Sequence, residues 1–489
     1  MNSFKNIKYG FILGTTVIGL AFLTTFSTTL PAAERPNFII INVDDLGYAD
    51  IGPYGSTLNR TPNLDRMAAE GRKLTTFYGA PSCSPSRASL MTGSYAKRVL
   101  PINGVLFPGY AEGLDPGEIT IAELLKEQGY ATGIIGKWHL GDQPEFLPLN
   151  QGFDYYFGLP YSNDMGPVED GIKSDLGQPI PTDAEMERLP PALGKKNQPP
   201  LPLMRNNTVL KRVLPDDQQA IVQLYTEEAV KFLKSHQHKP FFLYLAHTAV
   251  HFPVYPGKAF AGKSKNGIYS DWVEEVDWSV GEILKAVKKL GLDEKTLIIF
   301  TSDNGGTKRA SNTPLRGFKA STWEGGVREP AIARWPGKIP ANSETDAVTG
   351  MIDVMPTFVK LAGGAAPTDR KIDGGDIWPL LAGKEGAKSP HDTYFYFSGL
   401  QLQAVRAGEW KLHLKSGELY NLAQDIGEST NRARENPAIV AKLRQAAGDM
   451  DDDLGLEGKG PGVRALGKAA NPRPLIDLGG NIRPGFEAK

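Results

Sequence analysis

The chain has 489 residues, one cysteine, and 54 basic against 55 acidic side chains, a formal net charge of −1. So even a balance argues against a partner recognised by charge, such as nucleic acid, and a lone cysteine excludes an internal disulfide and any cysteine-built metal site. The length exceeds what one hydrophobic core commonly serves, so two domains are expected.

Residues 1–33 carry Lys5 and Lys8, an apolar run over 11–23, and then Thr and Ser residues before Pro31-Ala32-Ala33. That is the layout of a secretory signal peptide, since a 13-residue run is too short to span a bilayer comfortably. A membrane-anchoring helix is the alternative reading; a lipid anchor is not expected, because no cysteine follows closely. Cleavage removes two lysines and no acid, taking the formal charge from −1 to −3. The mature chain is therefore expected in the periplasm or outside the cell, without stable membrane insertion and without a nucleic-acid partner.

From Asn37 to about Gly364, apolar strand-like runs alternate with helical patterns, as in parallel α/β sheets. The clearest strands are 37–43, 131–136, 241–246 and 296–301, with helices over 61–72, 120–128, 216–235 and 269–290. The stretch 165–215, rich in Pro, Lys and Asn, breaks the alternation; it reads either as a surface excursion or as a wall of a substrate cleft. Beyond Gly364, short runs over 393–397, 402–405, 410–414 and 418–422 read as antiparallel strands, followed by a helix near 437–450 and an irregular tail. The expected fold is α/β, a large mixed, mostly parallel sheet flanked by helices over 34–364, with a smaller C-terminal antiparallel sheet plus helix over 365–489.

The cysteine lies in Cys83-Ser84-Pro85-Ser86-Arg87-Ala88-Ser89-Leu90-Met91-Thr92-Gly93. A free cysteine is by default a small buried hydrophobe. Here the following residues read as a helix start: Ser84 and Ser86 can cap, Pro85 suits the first turn, and 87–91 are good helix formers. Residue 83 then sits at a helix N-terminus, where an anion is favoured, and Arg87 lies one turn on along the same face.

This pattern, Cys-x-Pro-Ser-Arg with a following Met-Thr-Gly, resembles the signature of the type I sulfatases, arylsulfatase A-like members of the alkaline phosphatase superfamily. The resemblance implies that a separate formylglycine-generating or sulfatase-maturating enzyme oxidises Cys83 to 3-oxoalanine (Cα-formylglycine), whose hydrate attacks the sulfur of a sulfate ester. Collapse of the remaining hydroxyl to the aldehyde then expels sulfate, an exit that a serine at position 83 would lack.

Asp44-Asp45 follows the strand 37–43 and Asp303-Asn304 follows the strand 296–301, so both pairs fall at carboxyl ends of strands, where open α/β sheets bind ligands. Either pair alone reads as a turn or helix cap. Together they form an oxygen-only donor set suited to a hard cation, calcium more readily than magnesium. Both resemble the family's metal motifs, which implies Asp44, Asp45, Asp303, Asn304 and the modified residue 83 as ligands.

Gly136-Lys137-Trp138-His139-Leu140-Gly141 follows a strand, and an extended chain would put Lys137 and His139 on one side. The hexapeptide is similar to the family's Gly-Lys-Trp-His, which implies Lys137 on the formylglycine and His139 as the base acting on its hydroxyl. Phe318-Lys319-Ala320-Ser321-Thr322-Trp323-Glu324-Gly325-Gly326 resembles a second family element that sets Lys319 on the sulfate, with Glu324, Gly325, Gly326 and Arg328 shaping the loop. His251, before Phe252-Pro253, matches the family's sulfate-contacting histidine better than His247, and Ser162 in Pro160-Tyr161-Ser162-Asn163-Asp164 matches a substrate-contacting serine, where a simple turn is the alternative. His236, His238, His391 and His413 read as bystanders. The C-terminal Leu419-Tyr420-Asn421-Leu422 and Asp425-Ile426-Gly427-Glu428 also look like family elements, so the resemblance covers nearly all of the mature chain.

The implied activity is hydrolysis of aryl sulfates or sulfated carbohydrates, and secretion suits scavenging of sulfated polysaccharide. A phosphonate or phosphate ester hydrolase of the same superfamily, a transferase of the sulfuryl group and a non-catalytic secreted glycan-binding protein are the other readings. A two-zinc phosphatase is excluded, because neither a Ser/Thr nucleophile nor the histidine ligand set is evident.

Overall fold

The computed structural model describes residues 35–188 and 198–488, together with Met1 and Gly10; the signal-peptide reading of 1–33 otherwise lies outside the described residues. In chain order the strands are β1 (Asn37–Val43), β2 (Arg72–Tyr78), β3 (Glu112–Gly113), β4 (Ala131–Gly136), β5 (Tyr155–Gly158), β6 (Pro202–Arg205), β7 (Thr208–Arg212), β8 (Phe241–Ala246), β9 (Thr296–Ser302), β10 (Arg328–Arg334), β11 (Ser343–Thr345) and β12 (Thr349–Gly350). All but β3 join one sheet of order β11-β2-β10-β9-β1-β8-β4-β5-β6-β7, with β12 beside β2. The five strands β9, β1, β8, β4 and β5 run parallel, while β10 and the hairpin strand β6 run antiparallel to their neighbours.

The central strands are continuous apolar runs because both faces of the sheet are covered. Phe38 and Ile40 pack into one core with Phe242, Tyr244 and Phe358, under the helices Ile121–Glu127 and Val354–Leu361. Ile39 and Ile41 alternate to the other face, where Leu243, Leu245 and Trp272 lie under the helices Pro215–His236 and Ile268–Lys289. Gly136 closes β4 at φ 117°, where a Cβ would sit 1.8 Å from the Ala246 carbonyl oxygen, so only glycine lets β4 turn off the sheet against β8.

Strands β13 (Tyr394–Ser398), β14 (Gln401–Ala407), β15 (Trp410–His413) and β16 (Glu418–Asn421) form a separate four-stranded antiparallel sheet. The helix Pro437–Asp451 lays Leu443 and Ala447 on it, in a third core that also contains Tyr78 of β2 and Val327 just before β10. A short strand β17 (Gly467–Lys468) pairs with β3.

Two sequence expectations are corrected. The helix expected over 61–72 is Pro62–Ala69, because Gly71 packs against β10 and Arg72 already begins β2. The stretch 165–215 is not wholly irregular: it holds the one-turn helix Asp183–Met186 and the β6–β7 hairpin that closes one edge of the sheet. Residues 189–197 lie outside the description.

Candidate functional site

Four loops at the carboxyl ends of the parallel strands converge on Cys83. The residue opens the helix Cys83–Thr92, which is buried throughout. Neither serine caps that helix as expected: Ser86 Oγ bonds Ala80, and Ser84 Oγ accepts from the Leu106 amide. Instead both serines fasten neighbouring loops to its first turn.

The Cys83 thiol donates to Asp44 Oδ1 at 3.3 Å and accepts from Lys319 Nζ at 3.3 Å. Burial, and next the negative Asp44, push this thiol far up from its ordinary value. Both effects favour the neutral thiol over the thiolate.

Arg87, one turn on, grips Asp303 Oδ2 with Nε at 3.0 Å and Nη2 at 2.8 Å. Its Nη1 donates to the Lys137 carbonyl at 2.6 Å, so one buried guanidinium ties the metal-motif strand end to the lysine motif. Lys137 Nζ is ion-paired with Asp44 and lies 3.3 Å from Ser162 Oγ, which in turn is 3.3 Å from His251 Nδ1. Lys319 Nζ pairs with Asp45 Oδ1 at 2.6 Å, and His251 Nε2 stands 3.6 Å from Asp45 Oδ2.

Burial opposes ionisation of Asp44, but Lys137, His251, Arg87 and Lys319 outweigh it and hold the carboxyl well below the usual carboxylate range. Burial and the Asp44 charge push Asp303 up, while Arg87 pulls it back. Burial likewise works against the Lys137 and Lys319 ammonium groups, yet Asp44 and Asp45 carry them above the ordinary lysine value. Three carboxylates and three fixed cations thus meet in one largely buried pocket.

His139 is not on an extended chain as expected: it takes φ 63°, which turns its ring so that Nε2 lies 2.9 Å from the Leu106 carbonyl. A carbonyl accepts only, so Nε2 carries the proton and the buried, unpartnered Nδ1 keeps its lone pair. Burial, then the positive charges of Lys137 and Arg87, hold the ring neutral by pushing its pKa well below the ordinary histidine value.

Asp44, Asp45, Cys83 and His251 bring donor atoms within 4.8 Å of one another, all buried. Asp303 Oδ1 accepts from the Asp45 amide at 3.3 Å, and Asn304 Nδ2 donates to Asp45 Oδ1 at 2.8 Å. Asn304 Oδ1 is buried with no hydrogen-bond partner. An orphaned carbonyl oxygen beside three carboxylates is what a hard cation would satisfy, so the donor set fits the expected metal. Every candidate residue named from sequence is in this cluster.

Other residues were silent in the sequence. Asp164 Oδ1 is buried without a hydrogen-bond partner, 3.9 Å from His251 Nδ1, and its only signal was adjacency to Ser162. Glu329 on β10 is wholly buried with both oxygens unpartnered, and burial and then Asp303 and Asp45 keep its carboxyl protonated by pushing its pKa well up. A glutamate between Arg328 and the short apolar run 330–333 was the one available hint. The C-terminal sheet also reaches the site: Lys411 Nζ contacts Glu324 Oε1 at 2.7 Å and Glu428 Oε1 at 3.2 Å, and Glu428 Oε2 accepts from the Glu324 amide at 2.7 Å. His413, read as a bystander, bonds Glu428 at 2.8 Å and packs its ring, tilted by 34°, on Trp323 at 3.8 Å, so it braces the Lys319 loop. His247 lies under the site, 3.1 Å from Ser279 Oγ. The stretch 165–215 braces the His251 loop through Asp175, which accepts from the Val254 amide at 2.9 Å.

Comparison with known proteins gives the family. The family profile described as Sulfatase matches residues 36–365, and that of N-sulphoglucosamine sulphohydrolase, C-terminal, matches 318–451. Human arylsulfatase A is 39% identical over 469 residues, covering 87% of this chain and 89% of its own. Canine N-acetylgalactosamine-6-sulfatase is 39% identical over 398 residues, covering 78% of this chain and 72% of its own. The crystal structure of Ps i-CgsB in complex with k-i-k-neocarrahexaose superposes with a TM-score of 0.72 at 31% identity, over 85% of this chain and 92% of that one.

Proposed function

Because the chain belongs to the sulfatase family and is a sulfuric ester hydrolase, we propose that it cleaves sulfate esters of carbohydrates with a nucleophile made from Cys83. The observation that carries this reading is the state of Cys83 itself. Its thiol is buried between Asp44 Oδ1 and Lys319 Nζ, each at 3.3 Å, in a site that also gathers Lys137 and Arg87 around the aspartates. Conversion to formylglycine replaces this thiol with an aldehyde whose hydrate is an oxygen nucleophile. The maturing enzyme is a partner in this account, and the sulfate ester is the substrate.

Asp44, Asp45, Asp303 and Asn304 would hold the divalent cation, with calcium favoured by an all-oxygen set. Bound there, the ion would act as a Lewis acid on the nucleophile and on a sulfate oxygen. The rest falls to the chain's own side chains. Lys319 and His251 are set to receive the sulfate's negative charge as it develops, Lys319 from the exposed side and His251 from across Asp45. His251, with Ser162 at Nδ1, is also positioned to protonate the leaving oxygen. Lys137 fixes the Asp44 carboxylate and Ser162 together. His139 offers neutral Nδ1 as the proton acceptor for a hydroxyl at residue 83, with its tautomer set by Leu106. Arg87 orients Asp303 without touching substrate. The protein is proposed to work in the periplasm or outside the cell, and no described helix is long and apolar enough to cross a membrane.

The test is turnover of matched sulfate, phosphate and phosphonate esters of one phenol by protein matured in a host with a formylglycine-generating enzyme. The expected result is a large preference for the sulfate, abolished by Cys83→Ala and by chelation of divalent metal. A preference for the phosphonate would move the reading to the phosphoesterase branch of the superfamily.

A further inference from the structure

The catalytic cluster opens to solvent beside Lys319, whose side chain is 19% exposed, whereas Arg87, Lys137 and Asp44 are sealed. Phe318 precedes Lys319 and leaves 41% of its surface in water, an unusual position for a large aromatic on a catalytic loop. On the other side of the opening, His251 is followed by Phe252, and the Arg309 guanidinium lies over that ring at 5.2 Å. Arg309 and Phe318 both line one cavity of about 360 Å³, together with Leu58, Asn59, Asn266 and Asn312.

Every one of these residues sits at the same end of the sheet as the cluster. Asn59 precedes the helix Pro62–Ala69, Asn266 precedes the helix Ile268–Lys289, and Arg309 follows Asp303-Asn304 at the end of β9. The lining has the character of a carbohydrate site: two exposed apolar side chains, neutral amides, hydroxyls and one cation, with the single carboxylate, Asp50, buried and held by Tyr269 and the Gly47 and Ser311 amides. The Arg309 side chain is 44% exposed and spends Nη1 on Asp175 at 2.6 Å. Its other side-chain N–H groups have no partner among the described residues, and a guanidinium presents them as a planar fork suited to carboxylate or sulfate. The sulfate-binding cluster, meanwhile, has its own cations and does not use this one.

We propose that this cavity is a subsite for the sugar adjoining the sulfated residue, with Phe318 stacking on its ring and Arg309 pairing with an anionic substituent that it carries. The proposal rests on the sulfatase reading above and goes further, naming the substrate class as an oligosaccharide with a second anionic group, carboxylate or sulfate, next to the sulfate that is cleaved.

Binding and turnover separate the two layers. Cys83→Ala protein, with calcium present, is titrated calorimetrically with three probes: kappa-carrageenan oligosaccharides, iota-carrageenan oligosaccharides, which add a second sulfate on the neighbouring sugar, and chondroitin 6-sulfate oligosaccharides, which add a carboxylate. At least one doubly anionic probe should bind more tightly than the kappa series, and which one does so identifies the anion. Phe318→Ala added to this background should weaken that probe at least tenfold. Arg309→Gln should do the same and erase the advantage over the kappa series, with Arg309→Lys recovering part of it. In matured protein with native Cys83, both substitutions should leave turnover of a small aryl sulfate within about twofold. The proposal is overturned if none of the probes binds, if Arg309→Gln leaves the probe ranking unchanged, or if aryl sulfate turnover falls in step with binding. Absence of aryl sulfate turnover in the matured native protein would count against the sulfatase reading, independently of the binding result.

Discussion

Replacing Arg87 by methionine removes the one side chain that holds Asp303 and the Lys137 carbonyl at once. Both partners are buried, so water cannot take over, and Asp303 is left as an acid with no cation on Oδ2. Breaking a buried pair in this way costs about 3–5 kcal/mol, more than the methionine's added packing returns. With an unfolding entropy of about 2.1 cal/mol/K per residue, roughly 450 residues give about 1 kcal/mol/K, so the thermal midpoint should fall by about 3–5 °C. Arg87→Lys keeps the charge and loses the fork, and should recover about half of that. Aryl sulfate turnover should drop at least a hundredfold in Arg87→Met, because Asp303 and Lys137 both lose their anchor. Differential scanning calorimetry of the three proteins with excess calcium reads the stability term directly. A midpoint within 1 °C of wild type in Arg87→Met, or a lysine variant no better than the methionine one, would refute the claim that the fork carries the geometry.

Three further outcomes follow from the same contacts. Burial holds His247 down to about 3, so the folded chain leaves it neutral while the unfolded chain protonates it near pH 6.5. Stability is thus lost as pH falls below about 6.5, by about 1.4 kcal/mol per pH unit; His247→Gln should lose about 2 kcal/mol less than wild type between pH 7 and 5 in urea melts, and equal losses would sink the assignment. Gly136→Ala forces a Cβ to 1.8 Å from the Ala246 carbonyl at a positive φ; it should destabilise by roughly 3 kcal/mol and displace Lys137, visible as lost turnover at unchanged expression. Lys411→Met leaves Glu324 and Glu428 facing each other in a dry interface, so a loss of about 3–5 kcal/mol is expected, together with a lower kcat from a loosened Lys319 loop; a fully active, equally stable variant would show that the C-terminal sheet is not needed there.

The parallel core was legible because buried strands between covered faces are continuous apolar runs, and 37–43, 131–136 and 241–246 coincide with β1, β4 and β8. Strands β2 and β10 were not, since Arg72, Lys73, Arg328 and Glu329 interrupt the apolar pattern and are held by pairing with strands distant in sequence. The candidate site residues were legible from motifs, most of them in the loops that follow β1, β4, β8 and β9. Three features depended on contacts that no local pattern encodes. The thiol of Cys83 is buried against an aspartate 39 residues away, His139 bends at a positive φ to meet Leu106, and the Lys319 loop is held from the C-terminal sheet by Lys411. The helix start at residue 83 was legible and the structure bears it out, whereas the burial of the thiol against Asp44, which pushes it up, was not.

The most direct test is the mass of the peptide containing Cys83, taken from protein that is actively releasing sulfate. The account predicts a loss of about 18 Da relative to the thiol form, with specific activity rising in proportion to the fraction converted. Full sulfatase activity from a preparation in which Cys83 remains an unmodified thiol would contradict it.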